Sequence, residues 1–325
     1  MTVFVTGAGG FIGSHVVERL LDQGHRVKAL VHYNGAGRRG FLDDFTLKTR
    51  GQMDIVAGDV RDVHQISRLV QGCESVLHLA ALIAIPYSYQ AADSYVATNV
   101  QGTLNILEAC HKHKVRRVVV TSTSEVYGTA QQVPMTELHP LQAQSPYAAS
   151  KIGADQLALS YHRSHGLPVV VLRPFNTYGP RQSGRAVLPT ILSQIISGRK
   201  TISLGNLAPQ RDLTFVSDTA RAFVSALDQK GIDGEVIHFG QGSAVSVGEL
   251  VDLCFSVLKK KGRVVTAGGR VRPMKSEVGL LLCDASKARE KLGWEPRVSL
   301  KEGILRTAAY IKQHLDAYHP DEYAL

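Results

Sequence analysis

Two side chains four positions apart, in Tyr147-Ala-Ala-Ser-Lys151, carry the first chemistry the sequence offers. On a helix that spacing puts a phenol and an ammonium on one face. This cation and the charge of a bound hydride acceptor both favour the phenolate, so Tyr147 is expected to have a lowered pKa and to take a hydroxyl proton as hydride leaves the neighbouring carbon. A second group lies in Thr121-Ser-Thr-Ser-Glu-Val-Tyr-Gly128. Thr123, Ser124 and Glu125 are its polar members, and the carboxylate is a candidate general acid or base. The bland alternative for Glu125 is a glutamate at a helix N-terminus, favoured there by the dipole. Hydride needs an acceptor, and Thr6-Gly7-Ala8-Gly9-Gly10-Phe11-Ile12-Gly13 supplies a place for one. The loop follows Val3-Phe-Val and opens a helix, the context a dinucleotide fingerprint requires. Gly7 and Gly10 let the backbone turn and approach a pyrophosphate, while Gly13 lets helix and strand pack. The phosphate charge meets the helix N-terminus at Phe11 and Ile12.

The rest of the cofactor site is read from strand ends. The second strand ends Val31-His32-Tyr33-Asn34, without the carboxylate that grips the adenosine ribose of NAD. His32, Arg38 and Arg39 are donors that tolerate a 2′-phosphate, so NAD and NADP both stay open. Asp59 and Val60, after the third strand, are placed for the adenine; Asp59 could equally be a helix N-cap. Leu79, Ala80 and Ala81 close the fourth strand beside the cofactor, and His78 before them reads as a satisfied core histidine. No metal site is expected. The four cysteines, Cys73, Cys110, Cys254 and Cys283, are spread without a C-x-x-C and read as reduced core thiols rather than zinc ligands or disulfides.

These residues need a frame, and short β-branched runs alternating with helical patterns supply it. Strands are expected at Thr2–Thr6, Arg26–Val31, Asp54–Ala57, Ser75–Leu79, Arg117–Thr121 and Val169–Arg173, with amphipathic segments beginning near Gly10, Val63, Tyr95 and Pro146. This is a Rossmann-type, doubly wound parallel α/β sheet. Residues 1–174 form the dinucleotide-binding domain. Residues 175–325 form mainly a smaller α/β substrate lobe, with helices near Ala186–Ile196 and Val247–Lys260 and some segments returning to the sheet. The lobe is expected over the C-terminal edge, where open α/β sheets bind ligands.

The chain of 325 residues is 44% hydrophobic and 20% charged, ordinary values for a soluble globular protein. Its longest apolar run, Leu79 to Ile85, is far short of the roughly 20 residues a bilayer needs, so no membrane partner is expected. The N-terminus has no basic region or cleavage site, which points to a cytoplasmic address. The net charge is +9, yet the dense clusters His111–Arg117 and Lys259–Arg263 look like helix ends, where cations favour the dipole. They read as solvated faces, and no nucleic-acid partner is expected.

Taken together, the glycine loop, Tyr147 with Lys151, Leu79-Ala-Ala81 and Arg173-Pro-Phe-Asn-Thr-Tyr-Gly-Pro180 resemble the extended short-chain dehydrogenase/reductases that act on nucleotide sugars. The likeness covers nearly the whole chain. Three longer strings, 81–88, 121–129 and 173–182, resemble the nucleotide-N-acetylglucosamine 4,6-dehydratases of legionaminic-acid pathways. The resemblance implies oxidation of a UDP- or GDP-N-acetylglucosamine at C4 by NAD, loss of water across C5 and C6, and a 4-keto-6-deoxy product. Tyr147 and Thr123 would then handle the 4-hydroxyl, and Glu125 the C5 proton. Many relatives place an Asp where this chain has Ser124. GDP-mannose 4,6-dehydratases and UDP-glucuronate decarboxylases both carry Thr-Ser-Glu, so the triplet leaves a 4-epimerase or decarboxylase as the alternative. A nucleotide-binding protein without chemistry is disfavoured by the intact Thr123, Tyr147 and Lys151. By resemblance, Asn176, Arg211 and Arg272 contact the substrate diphosphate; Arg185 near the Gly184 turn could line the site or face solvent, as could Arg181. Relatives also pair as homodimers through the helices of Tyr95–Cys110 and Pro146–His165.

Overall fold

The computed structural model describes residues 1–45, 51–267 and 276–319. Up to Pro174 the chain alternates β1 (Thr2–Thr6), α1 (Phe11–Asp22), β2 (Arg26–His32), β3 (Met53–Gly58), α2 (Val63–Val70), β4 (Ser75–His78), α3 (Ile85–Ser88), α4 (Ala92–Tyr95), α5 (Gly102–Lys112), β5 (Arg117–Thr121), α6 (Pro146–His165) and β6 (Val169–Pro174). Beyond it follow β7 (Asn176–Tyr178), α7 (Val187–Ile196), β8 (Thr201–Leu204), β9 (Gln210–Phe215), α8 (Val216–Asp228), β10 (Val236–Phe239), β11 (Ala244–Ser246), α9 (Val247–Val257), β12 (Arg263–Thr266), β13 (Leu280–Leu281), α10 (Ser286–Leu292) and α11 (Leu300–Gln313).

Seven strands make the main sheet, in the order β10-β6-β5-β4-β1-β2-β3, and every pairing is parallel. The six strands expected from sequence are present, with ends shifted by one residue at most. Val3, Phe4, Val5, Val118, Val119, Val120 and Val169 to Leu172 are fully buried, because helices cover both faces of a parallel sheet. β10 is the seventh strand. It pairs with β6 through Val236–Val171 and comes from the second half of the chain, one of the segments that return to the sheet.

The lobe places β7 and β11 against β9, with β13 continuing that sheet, and pairs β8 with β12 beside it. Helices α7, α9 and α11 pack Leu188, Ile191, Leu250, Cys254 and Ile304 into one apolar cluster with Phe215. Asp218, in the first turn of α8, accepts from the backbone of Arg297 (2.8 Å) and Val298 (2.9 Å), tying the C-terminal segment to the helix.

Helix α6 carries Tyr147 and Lys151, and its sequence fixes where it starts and stops. Ser145 caps it by accepting from the Ala148 N–H (3.1 Å), Pro146 takes the first position, and Gly166 ends it with φ +66°. Between α4 and α5 the segment Val96–Gln101 winds as a π-helix, where the sequence suggested one continuous helix from Tyr95. The four cysteines are free and buried. Among the described residues, no helix is long and apolar enough to cross a membrane. The cluster from His111 lies at the C-terminus of α5 as expected; Arg117 departs from it, being buried in β5 and paired with Asp233.

Candidate active site

The glycine loop lies at the C-terminal edge of β1. Gly7 adopts φ +66°, and a Cβ there would stand 2.8 Å from the Ala80 nitrogen; at Gly13 a Cβ would fall on the Gly7 carbonyl. Glycine is therefore demanded twice, once by the turn and once by the approach of α1. N-cap Gly10 brings no side-chain acceptor, so the first-turn N–H groups of α1 are left uncapped by any side chain, as an anion site requires. The loop is held against β4 by Thr6, whose Oγ1 accepts from the Leu79 and Ala80 N–H groups (3.1 Å each). Leu79, Ala80 and Ala81 keep partial exposure there. His78 is a satisfied core residue: it bonds Thr6 Oγ1 (2.8 Å) and Thr103 Oγ1 (3.1 Å), and burial drives its pKa down to about 3.

The other cofactor candidates line the neighbouring strand ends. His32 Nδ1 is 3.8 Å from Asp59 Oδ2, and the Asp59 carboxylate takes Arg61 Nη2 at 2.6 Å. That Arg61 bond holds its pKa below the usual range. Asp59 is not the cap of α2; Asp62 is, accepting from Gln65 N–H (2.9 Å). Val60 is buried, and its carbonyl accepts from Asn105 Nδ2 (2.9 Å). Arg39 donates its N–H to Asp43 (2.9 Å), and a Cβ at Gly9 would fall on the Arg39 carbonyl, which explains a glycine the fingerprint did not account for.

The catalytic candidates converge across β5 and α6. Thr123, in extended backbone, accepts from the Glu125 N–H (3.2 Å), and its side chain works to lower the pKa of the Tyr147 phenol. Thr123 and Glu125 are partly exposed, whereas Ser124 is buried between them. Lys151 is 3% exposed and donates to the Thr121 carbonyl (2.6 Å). Here one expectation is corrected: the Tyr147 pKa lies above, not below, its ordinary value. Burial is the main cause, the Thr123 bond opposes it, and the charge of Glu125 adds to it. The ammonium of Lys151 is turned to a backbone carbonyl, so it does not lead in setting the phenol.

Two flanking groups escaped the sequence reading. Asn99, in the π-helical turn, accepts from Leu82 N–H and donates to Leu82 O and to Ser150 Oγ, each at 2.9 Å; Ser150 in turn donates to the Tyr147 carbonyl (2.7 Å). A π-turn at such a place is a common functional device. Tyr95 stands edge-on to Tyr147, with ring centroids 6.2 Å apart, and donates to Ala84 O (2.5 Å).

On the lobe side, Asn176 of β7 and Arg211 of β9 sit on paired strands. Asn176 Oδ1 is buried without a hydrogen-bond partner among the described residues, an acceptor left for something else. Arg211 lies 3.7 Å from Glu277. Arg185 is exposed, and its charge reaches Tyr95. Arg272 falls outside the described residues. Arg181, with φ +70°, pairs with Glu18 of α1 (2.7 and 2.9 Å) and belongs to the helix anchor.

The chain matches the family model described as GDP-mannose 4,6 dehydratase over residues 4–307. It is 34% identical over 317 residues to a dTDP-glucose 4,6-dehydratase of Actinoplanes sp., covering 96% of this chain and 98% of the relative. To a UDP-glucose 4-epimerase of Mycolicibacterium smegmatis it is 33% identical over 317 residues, covering 96% and 99%. The crystal structure of DesIV, a dTDP-glucose 4,6-dehydratase from Streptomyces venezuelae with NAD bound, superposes with a TM-score of 0.88 at 32% identity, over 99% of this chain and 100% of that one.

Proposed function

Because this chain belongs to the GDP-mannose 4,6-dehydratase family of nucleotide-sugar dehydratases and epimerases, we propose that it is an NAD-dependent NDP-hexose 4,6-dehydratase acting on UDP- or GDP-N-acetylglucosamine. The observation that carries the reading is the partly exposed Glu125 close enough to Tyr147 for its charge to act on the phenol. A 4-epimerase needs one acid–base group at O4; a dehydratase needs a second, for the proton on C5. The N-acetylglucosamine assignment is supported by the three strings at 81–88, 121–129 and 173–182.

The residues fit a dinucleotide. Gly7 leaves no room for a Cβ, the uncapped N-terminus of α1 offers N–H groups to a pyrophosphate, and DesIV holds NAD on the same fold. Gly7, Gly10 and the N-terminus of α1 would hold the dinucleotide pyrophosphate, and the bound group would supply a reversible hydride acceptor for the sugar. Tyr147 takes the proton of the sugar 4-hydroxyl, with Thr123 bonded to the same oxygen. Burial favours the protonated phenol at rest, so its own proton passes to solvent before it accepts that of the 4-hydroxyl, and Thr123 works toward that release. The resulting 4-ketone acidifies H5, which Glu125 removes, and the same carboxyl, with Ser124 beside it, passes that proton to the departing 6-hydroxyl; as C6 regains hydride, Glu125 delivers a solvent proton to C5, and the proton of the 4-hydroxyl passes from Tyr147 to solvent. One water leaves, and the sugar becomes 4-keto-6-deoxy with no net oxidation. Asn176, Arg211, Arg185 and Arg272 are assigned to the nucleotide sugar, where a guanidinium fork suits a diphosphate. Two copies are taken to pair through α5 and α6, where Leu104 and Leu157 keep partial exposure.

An NMR time course with NAD and each nucleotide sugar in D₂O tests this. The expected result is a new C6 methyl signal with deuterium at C5. Inversion at C4 with the C6 hydroxyl retained would replace the reading by the 4-epimerase, which the similarity to the M. smegmatis enzyme also favours; CO₂ from UDP-glucuronate would replace it by a decarboxylase.

A further inference from the structure

Helix α6 buries a line of ionisable groups at steps of four: Tyr147, Lys151 and Asp155, which are 7%, 3% and 0% exposed. The first two have roles above; the third has none, and a helix facing a sheet gains nothing in packing from a carboxylate there. Asp155 Oδ2 accepts from Ser122 Oγ (2.7 Å), Arg173 Nε (3.0 Å) and Arg173 Nη2 (2.9 Å), while its Oδ1 is buried without a hydrogen-bond partner among the described residues.

The network behind Asp155 has a fixed direction. His238 Nε2 is 2.7 Å from the Asp284 carbonyl, which can only accept, so that nitrogen carries the proton. His238 Nδ1 is then the acceptor for the Tyr127 hydroxyl (3.1 Å), leaving the Tyr127 oxygen to accept from Arg173 Nη1 (3.0 Å). Arg173 is thereby pinned with its fork on Asp155, and a carboxylate receiving a guanidinium and a hydroxyl on one oxygen is held as the anion. Burial sets the Asp155 carboxyl above its ordinary range, and Arg173, Lys151 and Ser122 work against it.

We propose that Asp155 is a positioning residue for the reaction: it supplies the counter-charge that keeps Lys151 an ammonium, and through Ser122 it holds the loop bearing Thr123 and Glu125 in place. This rests on the reading of Tyr147 and Lys151 as a working pair. The charged and titratable groups around Lys151 support the first half. On its own helix are Tyr147 and Asp155; from β4 comes His78, neutral and sensitive to the ammonium; beyond Tyr147 lies Glu125; from β6 comes Arg173, bonded to Asp155. Burial works against the Lys151 charge, and Asp155 works for it. The second half follows from sequence order, since Ser122 precedes Thr123 and its N–H is fixed by the Leu172 carbonyl (2.7 Å).

The test follows the Cε resonance of Lys151 in lysine-¹³C-labelled protein, assigned by its loss in Lys151→Met, across a pH titration. Asp155→Asn should lower the midpoint by about one pH unit or more, the scale of a lost neighbouring charge, and Asp155→Glu should restore it. The alkaline limb of kcat/KM should move with it. Because Asp155→Asn strands a buried arginine, the double variant Asp155→Asn/Arg173→Met, which removes both charges of the pair, is measured beside it, and its midpoint is expected to lie between those of Asp155→Asn and the wild type. An unchanged midpoint in Asp155→Asn, or one that Asp155→Glu does not restore, overturns the inference. If the midpoint falls while wild-type protein turns over no nucleotide sugar, the inference stands and the proposed function fails.

Discussion

To act as the proposed base, Tyr147 has to lose a proton in an environment that favours keeping it, and this makes its neighbours matter more than the Tyr-x-x-x-Lys spacing suggests. Burial raises the phenol, Glu125 raises it further, and the Thr123 bond opposes them. Tyr147→Phe should leave folding and nucleotide binding intact and lower kcat by roughly 10²- to 10⁴-fold, the usual worth of one positioned acid–base group, measured by turnover beside a thermal melt. Glu125→Gln should separate the two halves of the reaction: deuterium at C5 and the C6 methyl disappear from the NMR spectrum, while a C4-deuterated substrate still passes its label to bound NAD. Persistent C5 exchange would take Glu125 out of the proton path. The residues within these two short motifs were legible in sequence because each motif is local. Asn99 and Asp155 were not, since their decisive partners, Leu82 and Arg173, lie 17 and 18 positions away and become neighbours only across the helix–sheet interface.

At the level of elements, the sheet was readable because strands buried on both faces become continuous β-branched runs, such as Val118 to Val120 and Val169 to Val171. β10, Val-Ile-His-Phe, is short and interrupted by His238, and the chain reaches it after passing through the lobe, so nothing local announced its parallel pairing with β6. The π-turn at Val96–Gln101 was hidden for a related reason: its register comes from Asn99 bonding Leu82, not from the periodicity of its own residues. The glycine loop was legible at Gly7, Gly10 and Gly13 but not at Gly9, whose constraint is the Arg39 carbonyl on a distant loop. Gly13→Ala forces a methyl onto the Gly7 carbonyl. It should cost about 1–3 kcal/mol, the range for overpacking a tight contact, and weaken NAD binding together with stability. Urea denaturation and a fluorescence titration of NAD would show both; a variant with native stability and affinity would mean that α1 can move away from β1.

Across the whole molecule, the buried polar groups at strand ends couple the glycine loop to the helices behind it, and His78 is the one whose response to pH can be worked out in full. Thr103 Oγ1 donates to the Asn99 carbonyl (2.6 Å), so it accepts from His78 Nε2–H. Thr6 Oγ1 already accepts from Leu79 and Ala80, so its own proton goes to His78 Nδ1. A proton on Nδ1 would leave two donors facing each other and release the backbone against which Gly7 packs. The folded-state pKa of about 3 lies below the ordinary 6.5, so the folded protein binds fewer protons here than the unfolded chain. The stability conferred by neutral His78 is therefore complete above pH 6.5 and declines as pH falls from there toward 3, by up to about 1.4 kcal/mol per pH unit for one proton. His78→Asn should be less stable than wild type at pH 8, yet lose stability more slowly between pH 6.5 and 4, with a slope shallower by close to one proton. Urea midpoints at half-unit steps of pH give both slopes. Parallel slopes would mean that acid opens the molecule elsewhere first, and that the strand end beneath the glycine loop outlasts the rest of the fold.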